Sequence, residues 1–269
     1  MMDLQNSAWE IVRLARHPKR PTSKTLIKEL FPDFMELHGD RLFGDDPSIM
    51  GGIASFQGKP MTIIAQEKGV TTEDKIYRNF GMAHPEGYRK ALRLMKQAEK
   101  FNRPIICIID TPGAYPGIGA EERGQAGAIA LNLREMSRIK VPIIAIVLSE
   151  GGSGGALGIG VGDSVAMFEN SIYSILSPEG FASILFKDAS KAAEVASLMK
   201  LTAADLFQLE VIDTVLMEEG GLHISFHAGF THLKNHLELE LNRLTQVPKE
   251  KLLENRYLKF RKLGQYHID

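Results

Sequence analysis

The residues best suited to chemistry lie in two glycine-bearing loops. Gly151, Gly152, Ser153, Gly154 and Gly155 follow one apolar run, and a Gly/Pro-rich stretch, Thr111–Gly119, follows another. Glycine has no Cβ, so its backbone N–H groups can approach a ligand closely, and N–H groups at the start of a helix favour negative charge. Three kinds of site fit the stretch at 151–155.

A nucleotide site is the first interpretation. However, the chain contains no G-x-G-x-x-G pattern, and its only Gly-Lys pair, Gly58-Lys59, lies in a predicted hairpin turn and precedes a proline. A phosphate-binding loop needs the glycines and the lysine at the start of a helix. The sequence therefore disfavours both a dinucleotide-binding site and a P-loop nucleotide site.

A serine hydrolase or peptidase is the second interpretation. Gly151-x-Ser153-x-Gly155 matches the nucleophile elbow, and it lies between a predicted strand and a predicted helix, as that mechanism requires. Ser153 would also need a histidine base. The histidines downstream lie on a leucine-rich helical segment rather than in a polar loop.

An oxyanion hole built from the backbone is the third interpretation, and it suits the residue types best. The N–H groups of Gly154, Gly155 and Ala156 would lie at a helix N-terminus and face the loop Pro112–Gly119. Each preorganised donor of this kind can stabilise a developing oxyanion by about 3 to 4 kcal/mol.

These loops must be positioned by a βαβ unit. Two short β-branched runs, Pro104–Asp110 and Pro142–Leu148, lack alternation and so predict strands covered on both faces. A helical pattern, Ala120–Ile139, joins them, and a glycine-studded helix that includes Gly155, Gly158, Gly160 and Gly162 is expected after the second. In parallel sheets the loops at the carboxyl ends of the strands form the binding site.

Further elements extend the same sheet. A hairpin is predicted from Gly51 to Ala65 with a Gln57-Gly58 turn, and a helix is predicted from Pro85 to Lys100. The basic face of that helix is either solvated or in contact with an anionic ligand or an acidic partner. Proline opens an apolar strand three times, at Pro60, Pro104 and Pro142, which indicates an internal strand-and-helix repeat.

The last third of the chain is helical in pattern. Its apolar stripe predicts a packing surface, and it comprises Leu222, Phe226, Phe230, Leu233, Leu237, Leu241 and Leu244. His223/His227 and His232/His236 are spaced i,i+4, but no Glu follows the first His and no cysteine is near, so we expect no metal in this chain.

Composition limits the class of protein. The 269 residues are 44% hydrophobic with a net charge of −1, which gives no bulk electrostatic case for binding nucleic acid or an anionic membrane. No apolar run approaches the roughly 20 residues that cross a bilayer, and the N-terminus lacks a signal-peptide pattern. The single cysteine, Cys107, excludes an internal disulfide. We therefore expect a cytoplasmic protein.

Several longer motifs resemble a known family. The strand, glycine stretch and following Ser177-Pro178-Glu179 resemble the crotonase superfamily, whose oxyanion hole stabilises coenzyme A thioester enolates. More specific motifs resemble the carboxyltransferase α subunits of bacterial acetyl-CoA carboxylase, and they are Gly39–Arg41, Asn79–Met82, His84–Met95, Asp110–Gly117, Glu121–Gln125 and Glu150–Leu157.

The resemblance implies a fold and a domain division. The fold would be α/β, a crotonase-like repeated ββα spiral with a helical C-terminal region. Residues 1–50 would form an N-terminal helical segment and loop, residues 51–220 the crotonase-like core, and residues 221–269 the C-terminal helical region.

The resemblance also implies an activity. Carboxybiotin on a biotin carboxyl carrier protein would give its carboxyl group to acetyl-CoA and yield malonyl-CoA for fatty acid synthesis, while biotin carboxylase consumes the ATP. The α subunit would pair with a homologous β subunit that carries a zinc ribbon, in an α2β2 assembly, and would be inactive alone.

The site residues follow from this resemblance together with the oxyanion-hole interpretation. The N–H groups of Gly154 and Gly155, with Ala156 as a third candidate, would bind the ureido oxygen of biotin as charge builds on it. Gly117 or Ile118 would supply a second donor. Biotin would also contact Tyr115 and Pro116 in the facing loop and the stretch Gly151, Gly152 and Ser153. A subunit whose glycine loops serve only for packing is the remaining alternative.

Overall fold

Proline-led apolar runs form the centre of one mixed sheet. The computed structural model describes residues 6–264. Within these residues the strands are β1 (Met35–Glu36), β2 (Ile49–Phe56), β3 (Lys59–Gln66), β4 (Ile105–Thr111), β5 (Ile143–Gly152), β6 (Ser164–Phe168), β7 (Ile172–Ser174) and β8 (Thr214–Leu216).

The sheet order is β1-β2-β3-β4-β5-β6-β8, and β7 pairs with the end of β5. The first three strands are antiparallel and the others parallel. Every residue of β4 is buried, because its odd-numbered isoleucines face one core cluster and its even-numbered ones face a second. The prediction of strands covered on both faces is confirmed.

Helices cover both faces of this sheet. They are α1 (Ala8–Ala15), α2 (Ser23–Leu30), α3 (Thr72–Tyr77), α4 (Pro85–Lys100), α5 (Ile118–Glu122), α6 (Gln125–Met136), α7 (Ser153–Leu157), α8 (Pro178–Phe186), α9 (Ala192–Ala196), α10 (Ala203–Gln208), α11 (Phe226–Leu244) and α12 (Lys249–Lys262). The fold is α/β with mostly parallel strands and a helical C-terminal region, as predicted.

The hairpin turn agrees with its sequence. Gln57 and Gly58 both adopt positive φ, at 50° and 75°, which is the geometry of a two-residue turn that matches the twist of the strands. The turn sets the register that pairs Phe56 with Lys59 and continues to Ile49 and Gln66. Gln66 is thereby placed at the carboxyl end of β3.

Three predicted boundaries in the βαβ unit are wrong. The helix expected over Ala120–Ile139 is divided into α5 and α6, because Gly124 has a φ of 83° and cannot continue an α-helix. The second strand extends to Gly152, since β7 provides it with a further partner. The helix after it ends at Leu157, so that Gly158, Gly160 and Gly162 lie beyond it.

The basic face of α4 contacts an acidic loop of the same chain. Arg89 pairs with Asp40 at 2.7 Å, and Lys90, which is fully buried, pairs with Asp45 at 2.5 Å. Arg93 donates to the carbonyl of Gly39 at 3.0 Å. Much of the basic face is therefore neither solvated nor free for a ligand, since it holds the segment from His38 to Asp46 against α4.

Two buried arginines connect the ends of the chain to the sheet. Arg20 donates to both carboxylate oxygens of Glu218, at 2.9 and 2.6 Å, and to the carbonyl of Leu148 at 2.8 Å. Arg256 on α12 pairs with Asp163 at 2.7 Å and donates to the carbonyl of Met136. The apolar stripe of α11 is buried against the sheet from Phe230 to Leu244, which confirms it as a packing surface.

Candidate active site at the glycine turn

The two glycine-bearing segments are the glycine turn, residues 151–155, and the loop after β4, residues 111–119. They meet backbone to backbone. A Cβ on Gly152 would lie 2.1 Å from the carbonyl oxygen of Pro112, and a Cβ on Gly155 would lie 2.5 Å from the carbonyl carbon of Gly113. Real Cβ atoms do not come so close to backbone atoms. Close packing of the turn on the loop after β4 therefore explains glycine at both positions.

The first turn of α7 presents backbone donors. This helix begins at Ser153, so the N–H groups of Gly154 and Gly155 have no acceptor within it. Neither of these N–H groups donates a hydrogen bond to any atom of residues 6–264. Ala156 is the fourth residue of α7, and its N–H is the first that can reach the carbonyl of the N-cap residue, Gly152, so we rank it after the two glycines.

Gly154 differs from its neighbours. A Cβ at this position would meet nothing closer than Ile129, at 3.9 Å, and the residue is half-buried. Protein packing does not explain this glycine, because a methyl group would fit. A ligand that approaches the backbone closely would explain it.

The facing loop contains the other predicted residues. The ring of Tyr115 stacks on His84 with 4.0 Å between ring centroids. The backbone N–H of Tyr115 donates to the carbonyl of Ala83. Pro116 is exposed, and Gly117 caps the N-terminus of α5 under the Tyr115 ring. The N–H groups of Gly117 and Ile118 are also without acceptors within residues 6–264.

Gly151 and Gly152 serve mainly as packing positions. A Cβ on Gly151 would lie 2.8 Å from the ring of Tyr173, and Gly152 is blocked by the loop after β4. Together with Arg16 and Glu150 they line a cavity of only about 30 Å³. That volume holds one water molecule.

Ser153 has the backbone conformation of a nucleophile but lacks a base. Its φ of 51° is left-handed and its side chain is exposed. Within the described part of the chain its hydroxyl makes no hydrogen bond to a histidine. The hydroxyl is therefore not activated as in a serine hydrolase.

Sequence reasoning missed a partly buried ion cluster behind the glycine turn. Lys68 pairs with Asp110 at 2.8 Å and with Glu150 at 2.6 Å, and Arg16 pairs with Glu150 at 2.7 Å and with Glu179 at 2.7 Å. Burial raises the pKa of Asp110. Burial also disfavours ionised Glu150, but Lys68 and Arg16 outweigh it and lower the pKa of that carboxyl.

A polar residue at the end of an apolar strand is the signal that could have revealed this cluster. Asp110 and Glu150 directly precede the two glycine-bearing segments, and Lys68 follows β3. All three line a cavity of about 570 Å³ together with residues of the α1–α2 connection. This cavity opens at the carboxyl ends of the parallel strands, where α/β folds place their ligands.

The histidine pairs do not form a metal site in the described residues. Within residues 6–264, no group of three or more metal-ligating side chains occurs. His223 precedes α11 and stacks on His17 with 4.3 Å between centroids, while His232 contacts the carbonyl of Met217. In the same residues no helix is both long and apolar enough to cross a membrane.

Comparisons with known proteins agree with this picture. The sequence model of the family described as acetyl co-enzyme A carboxylase carboxyltransferase-like matches residues 3–264. The chain is 56% identical to the acetyl-coenzyme A carboxylase carboxyl transferase subunit alpha of Listeria monocytogenes serotype 4a, over 97% of this chain and 82% of that protein. It is 57% identical to the protein of the same name from Clostridium botulinum (strain Eklund 17B / Type B), over 96% of this chain and 95% of that protein.

The fold comparison points to the same class. A solved structure of transcarboxylase 12S, with methylmalonyl-coenzyme A and methylmalonic acid bound, superimposes with a TM-score of 0.68 at 18% identity, over 89% of this chain and 46% of that one. The chain therefore has the crotonase-like fold that this structure shares. More narrowly, the chain belongs to the acetyl-CoA carboxylase carboxyltransferase family.

Proposed function

We propose that this chain is the α-type subunit of a carboxyltransferase that moves a carboxyl group from carboxybiotin to acetyl-CoA and yields malonyl-CoA, the first step of fatty acid synthesis. The observation that carries the proposal is the glycine turn, whose Gly154 and Gly155 N–H groups have no acceptor within residues 6–264. Relatives at 56 to 57% identity supply the reaction in their name.

The residues present fit a ureido group. Carboxybiotin supplies the carboxyl group when it is bound, and its ureido oxygen gains negative charge as that group leaves. The N–H groups of Gly154 and Gly155 would hold this oxygen, and Gly154 has no Cβ to obstruct it. Preorganised amide donors stabilise charge that develops only during the reaction, so they raise the rate rather than merely the affinity.

The facing loop would complete the pocket. We propose that Tyr115 and Pro116 contact the biotin ring system and that the N–H of Gly117 or Ile118 acts as a second donor. The ring of Tyr115 is fixed by its stacking on His84. We assign no side-chain general base to this chain, because the ureido nitrogen that loses the carboxyl group would itself take the proton released by the acetyl group.

A partner subunit would cover this site. The side chains of Ile118 and Leu157, which adjoin the candidate donors, are 79% and 38% exposed. Apolar side chains exposed beside a site are common where another protein packs. We propose a homologous β subunit that holds coenzyme A and carries a zinc ribbon, in an α2β2 assembly.

Other proteins would supply the carboxyl group. Biotin would arrive on a biotin carboxyl carrier protein after ATP-dependent carboxylation by biotin carboxylase. We propose the cytoplasm as the location of this reaction.

Reconstitution tests the proposed function. The chain is mixed with the β subunit, and the biotin-dependent decarboxylation of malonyl-CoA is measured. We expect activity only in the mixture. Ser153→Ala should retain most of it, as should the control Ser183→Ala, since the exposed hydroxyl of Ser153 has no base. Acyl-CoA hydrolysis by the chain alone that is lost in Ser153→Ala would instead establish a hydrolase, and no activity in the mixture would favour a packing subunit.

A further inference from the structure

A buried glutamine contacts the glycine turn from β3. Gln66 is the last residue of that strand and has no exposed surface. Its Nε2 donates to the carbonyl of Gly155 at 2.7 Å, and its Oε1 accepts from the N–H of Asp110 at 3.2 Å. One side chain thus connects the turn to the end of β4, directly before the facing loop.

The carbonyl of Gly155 needs this donor. In a longer helix it would accept from the N–H of Ile159, but that N–H bonds instead to the carbonyl of Ala156 at 3.2 Å. The hydroxyl of Tyr88 is a second donor to Gly155, at 3.3 Å. Burial raises the pKa of Tyr88, so the phenol keeps the proton that it donates.

Both peptides that flank the Cα of Gly155 are therefore held. The carbonyl of Gly154 accepts from the N–H of Gly158 at 3.0 Å, and the carbonyl of Gly155 accepts from Gln66 and Tyr88. Glycine has the widest choice of backbone conformations, so without these bonds the direction of its N–H would be poorly defined. Holding both peptides fixes that direction.

We propose that Gln66, assisted by Tyr88, is a positioning residue. It holds the Gly155–Ala156 peptide, so that, together with the bond from Gly158 to Gly154, the backbone of Gly155 is fixed with its N–H toward the developing charge, and it sets the spacing between the glycine turn and the loop after β4. This inference rests on the proposed function, because it assumes that Gly155 donates to a reacting group. Gln66 itself touches only the protein backbone. It acts on the reaction through Gly155.

The test compares buried variants of one strand in the complex with the β subunit. Gln66→Met removes both hydrogen bonds at similar volume. Thr62→Val is the matched control, because Thr62 is equally buried in the middle of β3 and its hydroxyl accepts from Arg103, away from the glycine turn. We expect kcat for biotin-dependent malonyl-CoA decarboxylation to fall by about tenfold or more in Gln66→Met, with KM for malonyl-CoA within about threefold of wild type. Thr62→Val should retain kcat.

Rescue separates positioning from general stability. Histidine also offers one donor and one acceptor nitrogen, so Gln66→His should recover much of the lost kcat. Tyr88→Phe removes only the weaker bond and should lower kcat by a few-fold, which gives a usable variant even where Gln66→Met fails to fold.

Two results would overturn the inference. A folded Gln66→Met complex with kcat within twofold of wild type is one, and equal losses of kcat in Gln66→Met and Thr62→Val are the other. Should Gln66→Met not fold, an unchanged kcat in Tyr88→Phe contradicts it. An inactive wild-type complex would instead mean that the proposed function is wrong.

Discussion

At the scale of single residues, the two adjacent glycines of the turn have different reasons to be glycine. Gly155 is packed against the backbone of Gly113, whereas Gly154 has room for a methyl group. The fold thus requires glycine at position 155, whereas glycine at position 154 leaves room for a ligand. Alanine at each position can separate the two requirements.

We expect Gly155→Ala to lower the free energy of unfolding by about 1 to 3 kcal/mol, because its Cβ forces the backbone of two loops apart. Gly154→Ala should keep the melting temperature of wild type but lose most carboxyltransferase activity, because the methyl group occupies the space of the ligand. Thermal unfolding and the rate of biotin-dependent malonyl-CoA decarboxylation check both. Full activity in Gly154→Ala would contradict a ligand at this turn.

Residue types predicted the candidate donors but not the groups that hold them. Gly154 and Gly155 stood out because glycines after a buried strand suggest close approach. Gln66 did not, because a glutamine at the end of an apolar run has no distinctive spacing, and its partner Gly155 lies 89 residues away. Contacts over such distances follow from the pairing of β3 with β4, which the sequence does not specify.

At the scale of elements, α4 organises one side of the site. It contributes Tyr88 to the glycine turn and Lys90 to the acidic loop of residues 38–46. Burial disfavours ionised Asp45, yet Lys90 and the N–H of Gly39 outweigh it and lower the pKa of Asp45 to about 2. An ion pair between the buried Lys90 and the partly exposed Asp45 therefore binds the loop to the helix.

Lys90→Met should detach this loop. Removing the ammonium deprives Asp45 and the carbonyl of Asp46 of a donor, so we expect a loss of about 1 to 3 kcal/mol in unfolding free energy. Hydrogen exchange across residues 38–46 should quicken. The control Lys96→Met removes an exposed lysine of the same helix, and exchange in the loop should not change. Equal hydrogen-exchange rates in residues 38–46 of Lys90→Met and Lys96→Met would refute the role of Lys90.

Periodicity located most elements but not their interruptions. The bounds predicted for α4 are confirmed, since Pro85 opens it and one face is apolar over four turns. The break between α5 and α6 depends on a positive φ at Gly124, and glycine is permitted in a helix as well as in a turn. The extension of β5 to Gly152 depends on pairing with β7, which is a tertiary contact.

At the scale of the whole molecule, buried ion pairs hold the N-terminal and C-terminal segments on the sheet. Arg20, 6% exposed, joins the α1–α2 connection to Glu218 after β8. Burial alone would raise the pKa of Glu218, but the hydrogen bonds and charge of Arg20 outweigh it and lower that pKa. Glu218 therefore stabilises the fold above its unfolded pKa, and the contribution is lost as pH falls through the folded pKa.

Arg20→Met should cost about 3 to 5 kcal/mol at neutral pH, because it leaves a buried carboxylate unpaired. In this variant burial raises the pKa of Glu218, so the deficit relative to wild type should shrink as pH falls below about 5 and the carboxyl takes up a proton. Urea unfolding of both proteins at several pH values measures this deficit. Arg134→Met, which breaks an exposed pair, should unfold as wild type does. A pH-independent deficit would contradict the assignment to Glu218.

Family membership was predictable from the sequence because its motifs are long and contiguous, and the match over residues 3–264 confirms it. The domain division at residues 50 and 220 stays a prediction. The ion cluster of Lys68, Asp110 and Glu150 was not predicted: each residue lies at or just after the end of an apolar strand, but only the sheet order makes β3, β4 and β5 neighbours.

The backbone contacts of Gly152 with Pro112 and of Gly155 with Gly113 have a practical consequence for redesign. Directed evolution that randomises one of these segments alone will mostly yield misfolded clones, since neither main chain can shift without displacing the other. Libraries aimed at new acyl acceptors should exchange residues 111–119 and 151–157 together, as a single cassette taken from one parent.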